Sequence, residues 1–124
     1  MLDHLGLDVT DYERSKAFYE KALAPLGLRV LMEPIPGVGG FGGDDGKPFF
    51  WIGNRGRASQ SGVHVAFAAP DRAIVDAFHA AALDAGATDN GGPDVREIYH
   101  PHYYGAFVLD PDGNNVEAVC HRPA

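Results

Sequence analysis

An α+β fold of two successive βαβββ modules is the architecture this sequence predicts, on three observations. The first is an internal repeat. Residues 4–23 laid over 64–83, an offset of 60, pair His4 with His64, Asp11 with Asp71, Ala17 with Ala77, Phe18 with Phe78, Ala22 with Ala82 and Leu23 with Leu83. Two copies are too few for a solenoid, which needs about three stacked units. The second observation is that each copy opens with period-2 alternation and continues with apolar residues at helical spacing. The third is that short strand-like runs, separated by Gly and Pro, follow each helix. A unit of about 60 residues is marginal alone, so the two are expected to share one core.

The first strand is His4-Leu5-Gly6-Leu7-Asp8-Val9, with Leu5, Leu7 and Val9 on one face and His4, Gly6 and Asp8 on the other. Thr10, with Glu13 three residues on, has the form of a capping box. A helical stripe follows through Tyr12, Phe18, Tyr19, Ala22, Leu23 and Leu26, and Gly27 supplies the left-handed stop. Strands are expected at about 28–32, near Phe41, and at about 49–52. Gly37-Val38-Gly39-Gly40-Phe41-Gly42 matches GxGxxG, but prolines precede it and Asp44-Asp45-Gly46 follows where a helix should open. It reads as a bent strand connection rather than a nucleotide site.

In the second copy His64, Ala66 and Ala68 face away from Val65 and Phe67. Asp71 caps a helix striped by Ile74, Phe78, Ala81, Ala82 and Ala85, and Gly86 ends it. Strands are expected at about 95–99, 105–109 and 115–120. The last two flank Asp110-Pro111-Asp112-Gly113, a turn in which Pro presets φ and Gly accepts positive φ. The 124 residues read as one domain, with module one at about 1–57 and module two at about 62–124.

Composition removes several function classes. Hydrophobic residues at 45% and charged residues at 22% are the balance of a soluble globular chain. Seventeen acidic against ten basic side chains give −7, which argues against a nucleic-acid partner. No apolar run reaches the ~18–20 residues that span a bilayer, so no membrane partner is expected. The start of the chain has neither a basic segment nor an apolar stretch of a secretory signal, so a cytoplasmic location is expected. A single cysteine, Cys120, excludes an internal disulfide and leaves six histidines and the carboxylates as metal ligands.

The repeat gives two of those histidines a meaning. His4 and His64 occupy equivalent positions on the small-residue face of each module's first strand, and would approach one another across a pseudo-twofold. Glu117, opposite in direction to Val116 and Ala118 on the final strand, supplies a carboxylate. Two imidazoles and one carboxylate suit a divalent transition metal and leave coordination positions open. The competing reading makes Glu117 a solvated residue on a last strand. Tyr99-His100-Pro101-His102-Tyr103-Tyr104 is the densest polar-aromatic cluster, with His102 and Tyr104 as candidate proton-transfer groups, or else a surface loop. Arg96 is a candidate for binding an anionic substrate, or a solvated arginine.

At these residues the chain resembles the vicinal oxygen chelate superfamily, which includes glyoxalase I, bleomycin-resistance proteins, fosfomycin-resistance thiol transferases and extradiol dioxygenases. The resemblance runs over essentially the whole chain. It is carried by Leu2-Asp3-His4-Leu5-Gly6-Leu7-Asp8-Val9, by the helix segment from Glu13 to Tyr19, by His64-Val65-Ala66-Phe67 and by Asp110-Pro111-Asp112-Gly113-Asn114-Asn115-Val116-Glu117. It implies a glyoxalase-like fold whose paired modules form a curled, barrel-like sheet around a metal cleft. The implied ligands are His4, His64 and Glu117, the set reached from the repeat, and the metal is Zn, Mn, Fe, Ni or Co. Glyoxalase I has a fourth ligand, a glutamate on the last strand of the first module. Overlaying Glu117 on that strand lands near Phe50, where no carboxylate stands, which speaks against authentic glyoxalase I activity.

The resulting expectation is a small metal-dependent enzyme acting on a compact substrate with adjacent oxygens, by lyase, isomerase, thiol-transferase or dioxygenase chemistry. Phe50 and Trp51 would line an apolar wall of the cleft. The alternative is a non-catalytic small-molecule binding protein of the bleomycin-resistance type. A homodimer is expected because open sheet edges on a small domain are commonly covered by a partner.

Overall fold

Alternation along the first strand places Leu5 and Leu7 toward a helix and His4, Gly6 and Asp8 away from it, and the same division runs through both halves of the molecule. The structure is a computed structural model describing residues 1–57 and 61–124. Module one consists of β1 (Leu5–Asp8), α1 (Tyr12–Ala22), a 3-10 turn at Ala24–Leu26, β2 (Arg29–Met32), β3 (Val38–Gly42) and β4 (Pro48–Gly53). Module two consists of β5 (His64–Ala68), α2 (Arg72–Asp84), the short β6 (Thr88–Asp89) and β7 (Asp94–Val95), then β8 (Tyr104–Leu109) and β9 (Asn115–Cys120). The expected βαβββ unit is thus present twice, with the third element of module two split into β6 and β7.

Each module builds one mixed sheet. The first has the order β1-β4-β3-β2 and the second β5-β9-β8-β6, with β7 also pairing β8. In each, the opening strand lies parallel to the closing one, β1 to β4 and β5 to β9. Among the described residues no ladder joins the two sheets, so the strands curl as two units rather than close into one barrel. A single hydrophobic cluster nonetheless takes residues from both. Tyr19 packs edge-on to Phe50 with centroids 5.0 Å apart, and Phe50 packs edge-on to Phe67 of the second sheet at 5.2 Å. Such aromatic pairs add to the burial of their large apolar areas.

Three local expectations are corrected. Asp11, not Thr10, caps α1: its carboxylate accepts from the backbone N–H of Arg14 at 3.1 Å, just as Asp71 accepts from Ile74 at 2.9 Å. The caps therefore obey the repeat more closely than the capping-box pattern implied. Second, the run Val38–Gly42 is a fully buried strand. Its glycines are spaces for neighbours, since a Cβ at Gly39 would collide with the Tyr12 hydroxyl and one at Gly40 would come within 2.9 Å of the Trp51 indole. Third, within 95–99 only Val95 belongs to a ladder. From Arg96 the chain turns, with Tyr99 N–H donating to the Arg96 carbonyl and Arg96 N–H donating to that of Tyr103. Pro101 in this stretch has no N–H to give a ladder.

Among the described residues no helix is long and apolar enough to cross a membrane.

Candidate metal centre

The face of the second sheet turned away from the core carries the centre of interest. Ala66, Glu117 and Phe107 stand side by side on β5, β9 and β8. Glu117 is fully buried there, an expensive place for a carboxylate unless its oxygens are met by cations or donors. Tyr103, carried in by the turn after Arg96, donates its hydroxyl to Glu117 Oε2 at 2.5 Å. Burial, followed by that bond to Glu117, pushes the Tyr103 phenol far up, so it stays a donor throughout the physiological range. Gly105 leaves room for the carboxylate: a Cβ at that position would sit 2.9 Å from Oε2 and 3.2 Å from the Tyr103 ring.

The other oxygen is left differently. Glu117 Oε1 lies 3.0 Å from His64 Nε2, yet it has no hydrogen-bond partner, because the two are not aligned for one. His64 Nδ1 lies 3.0 Å from the Asn115 carbonyl. A carbonyl only accepts, so Nδ1 carries a proton, and in the neutral form of the ring Nε2 presents a lone pair. The two atoms are thus held 3.0 Å apart without a hydrogen bond between them. Two donor atoms bound cis to one first-row metal, each at about 2.1 Å, are separated by about 3.0 Å. His64 and Glu117 therefore fit a divalent cation. His64 also stacks on Phe107 at 6.1 Å, and the Arg96 guanidinium lies 5.3 Å over the same ring.

His4 stands on the first sheet. Its Nδ1 is 2.7 Å from Asp3 Oδ1, and Asp3 is held in turn by Lys47 Nζ at 2.6 Å. The Lys47 bond, then that to His4, holds the Asp3 carboxyl below its usual range, so it accepts from Nδ1 and leaves Nε2 of His4 as the free lone pair. Both repeat histidines are thus prepared in the same way. Within one chain they do not meet: among the described residues, no three His, Cys, Asp or Glu side chains converge on a point that could hold a metal ion.

The remaining sequence candidates divide by strand alternation. Trp51 lines the cleft over the first sheet, whereas Phe50 points the other way and is fully buried among Tyr19, Phe41 and Phe67. Phe50 is therefore a core residue and not part of a cleft wall. The register also revises the overlay: Gly6 pairs with Trp51 as Ala66 pairs with Glu117, so Trp51 occupies the position equivalent to Glu117. Tyr104 faces opposite to Tyr103, donating to Asp76 Oδ1 at 2.6 Å beneath the Arg72 guanidinium, and the Asp76 bond pushes its phenol up to about 12. His102 is exposed in the turn, where its backbone N–H donates to His100 Nδ1. Neither touches His64 or Glu117. Arg96 does lie beside them, its side chain held by the carbonyls of Gly92 and Gly105. Tyr103 and Gly105 were missed in the sequence; the signal available was the parity of Tyr103 and Gly105 with Phe107 along one strand.

An alanine at Gly105 is expected to displace the carboxylate or break the Tyr103 bond. It should destabilise the protein by about 1–3 kcal/mol and weaken cation binding in the same variant, read by urea unfolding and metal titration.

Fold and site together describe a duplicated-module protein whose second sheet brings an imidazole nitrogen to 3.0 Å from a buried carboxylate oxygen. The chain belongs to the glyoxalase/bleomycin resistance protein/dioxygenase superfamily, whose family model matches residues 1–118. Among solved structures it is similar to a glyoxalase/bleomycin resistance protein from Albidiferax ferrireducens, with 30% identity, 99% of each chain covered and a TM-score of 0.83. A glyoxalase/bleomycin resistance protein/dioxygenase family enzyme from Burkholderia phytofirmans shares the fold at 21% identity, covering 97% of this chain and 98% of that one, with a TM-score of 0.75. A glyoxalase/bleomycin resistance protein from Catenulispora acidiphila does so at 18% identity, 99% and 100% coverage and a TM-score of 0.71. No curated protein matches the sequence.

Proposed function

We propose that this protein is a metal-dependent enzyme acting on a compact substrate with two adjacent oxygens. Its metal position is completed between two copies: His64 and Glu117 from one, His4 from the other. The observation that supports this reading is the pair His64 Nε2 and Glu117 Oε1, 3.0 Å apart with no hydrogen bond between them. The equivalent preparation of His4 on a separate sheet extends it to a third ligand.

His64 and Glu117 of one copy and His4 of the other would hold a divalent cation, which would supply positive charge to the substrate's oxygens. The chain's own residues hold the arrangement. Tyr103 fixes the plane of the Glu117 carboxylate through Oε2, so that Oε1 faces the ligand position. The Asn115 carbonyl and Asp3 set the tautomers of the two histidines. Phe107 stacks against His64, and the Arg96 guanidinium lies over the Phe107 ring. Lyase, isomerase, thiol-transfer and dioxygenase chemistries all begin from this binding mode.

Complementation tests the shared site. His4→Ala and His64→Ala variants are each expected to lose metal. Mixed in equal amounts and allowed to exchange subunits, half the dimers are heterodimers with one intact site of two, so about a quarter of the sites should return. Recovery of metal and of activity in the mixture supports the reading; a site built within one chain recovers none. Stoichiometric small-molecule binding by chelator-treated wild type, with no metal uptake from Mn, Fe, Co, Ni or Zn salts, would favour a sequestering protein instead.

A further inference from the structure

The cleft over the first sheet, about 630 Å³ in volume, lies within the range of small-molecule sites. Three cleft-facing positions of the β1 segment order it from end to end: His4, Gly6 and Asp8. At about 3.3 Å per residue, the outer two are about 13 Å apart along the strand. Trp51 lies across the middle, paired with Gly6. Its indole is accommodated by Gly40 on the neighbouring strand, where a Cβ would meet three ring carbons at 2.9 Å.

The far end is basic. Arg57 donates to Asp8 Oδ1 at 2.7 Å, and Arg55 approaches the same oxygen at 3.6 Å. The Arg55 guanidinium lies over Gly53, where a Cβ would come within 2.9 Å of its nitrogen. Two glycines on one face therefore make way for the two kinds of group that line the cleft, an aromatic plate and a guanidinium. Two arginines against one aspartate leave this end at about +1 in a chain whose net charge is −7. Guanidinium forks match the geometry of a carboxylate, and a flat ring matches the indole.

We propose that this cleft recognises an aromatic carboxylate, its ring against Trp51 and its carboxylate on Arg55 and Arg57. Seated so, the ring edge opposite the carboxylate faces His4. This names the substrate class of the enzyme reading above and rests on that reading only for the ligand's role as substrate; binding itself needs no metal.

The test uses chelator-treated full-length protein and the emission of Trp51, the single tryptophan. Benzoate is expected to change that emission saturably. Benzamide, which lacks the charge, should bind at least ~10-fold more weakly, the size of one charge-assisted hydrogen bond, and cyclohexanecarboxylate, which lacks the flat ring, about threefold or more, the size of one aromatic stack. Arg55→Gln/Arg57→Gln should lower benzoate affinity by a similar factor and leave benzamide unchanged. Equal affinity for benzoate and benzamide, no saturable emission change, or full benzoate affinity in the double variant overturns the proposal. Because metal is absent throughout, failure here leaves the complementation result standing, and loss of the metal site leaves this titration standing.

Discussion

Glu117→Gln is expected to lower affinity for divalent cations by ~100-fold or more while leaving the metal-free protein as stable as the wild type, or more so. The carboxylate is fully buried, and one of its oxygens has no hydrogen-bond partner. Without a cation that burial is costly. Glutamine keeps an oxygen to accept from Tyr103 and removes the charge, so the cost falls while the ligand is lost. Thermal melts with and without metal separate this from a structural role. At metal concentrations 100 times Kd the wild type gains about 2.7 kcal/mol, and the variant should gain almost none. A variant that melts lower without metal, yet binds metal as the wild type does, would make Glu117 an ion-pair partner of His64 and nothing more.

Asp110→Ala is the substitution expected to cost the most stability, about 3–5 kcal/mol. Asp110 is buried and accepts from the Tyr19 hydroxyl at 2.5 Å, from the backbone N–H groups of Asp112 and Asn114, each at 2.9 Å, and from Asn114 Nδ2 at 3.1 Å. Burial, with the negative Asp110 beside it, pushes the Tyr19 phenol well above its usual value, so it is always the donor. Asn114 passes the link on, its Oδ1 accepting from the Val63 N–H ahead of β5. One carboxylate therefore ties α1 of the first module to the β8–β9 turn and the start of the second module. Urea unfolding of Asp110→Ala beside Tyr19→Phe measures it. Tyr19→Phe should cost less, because it removes one of the four donors. Equal losses would place the whole effect in the Tyr19 bond.

The βαβββ repeat, both helices and the outer-face positions of His4 and His64 were legible because each rests on a periodicity or an identity between copies. The elements read less well were those decided by a neighbour far along the chain. Phe50 and Trp51 are both large and aromatic, and only the pairing of Gly6 with Trp51 shows which of them faces the cleft. The glycines of β3 look like a breaker of strand structure until the Tyr12 hydroxyl and the Trp51 indole are seen in the space they leave. Tyr103 and Tyr104 are chemically identical neighbours on opposite faces, so the polar-aromatic cluster pointed to the right segment and the wrong tyrosine. The separation of His4 from the other pair within one chain depends on how two sheets are set about a common core, which no local pattern encodes.

The register of the two opening strands carries a consequence for how such a protein diversifies. One lattice position, the residue paired with Gly6 of β1 or with Ala66 of β5, holds an indole in the first half and a carboxylate in the second. The two copies of the repeat therefore present different chemistry at one equivalent position. Because, among the described residues, the two sheets share a core but not a ladder, side chains on their outer faces can be exchanged without renegotiating the interior. A scaffold of this kind can vary the outer face of one sheet while the shared core stays as it is.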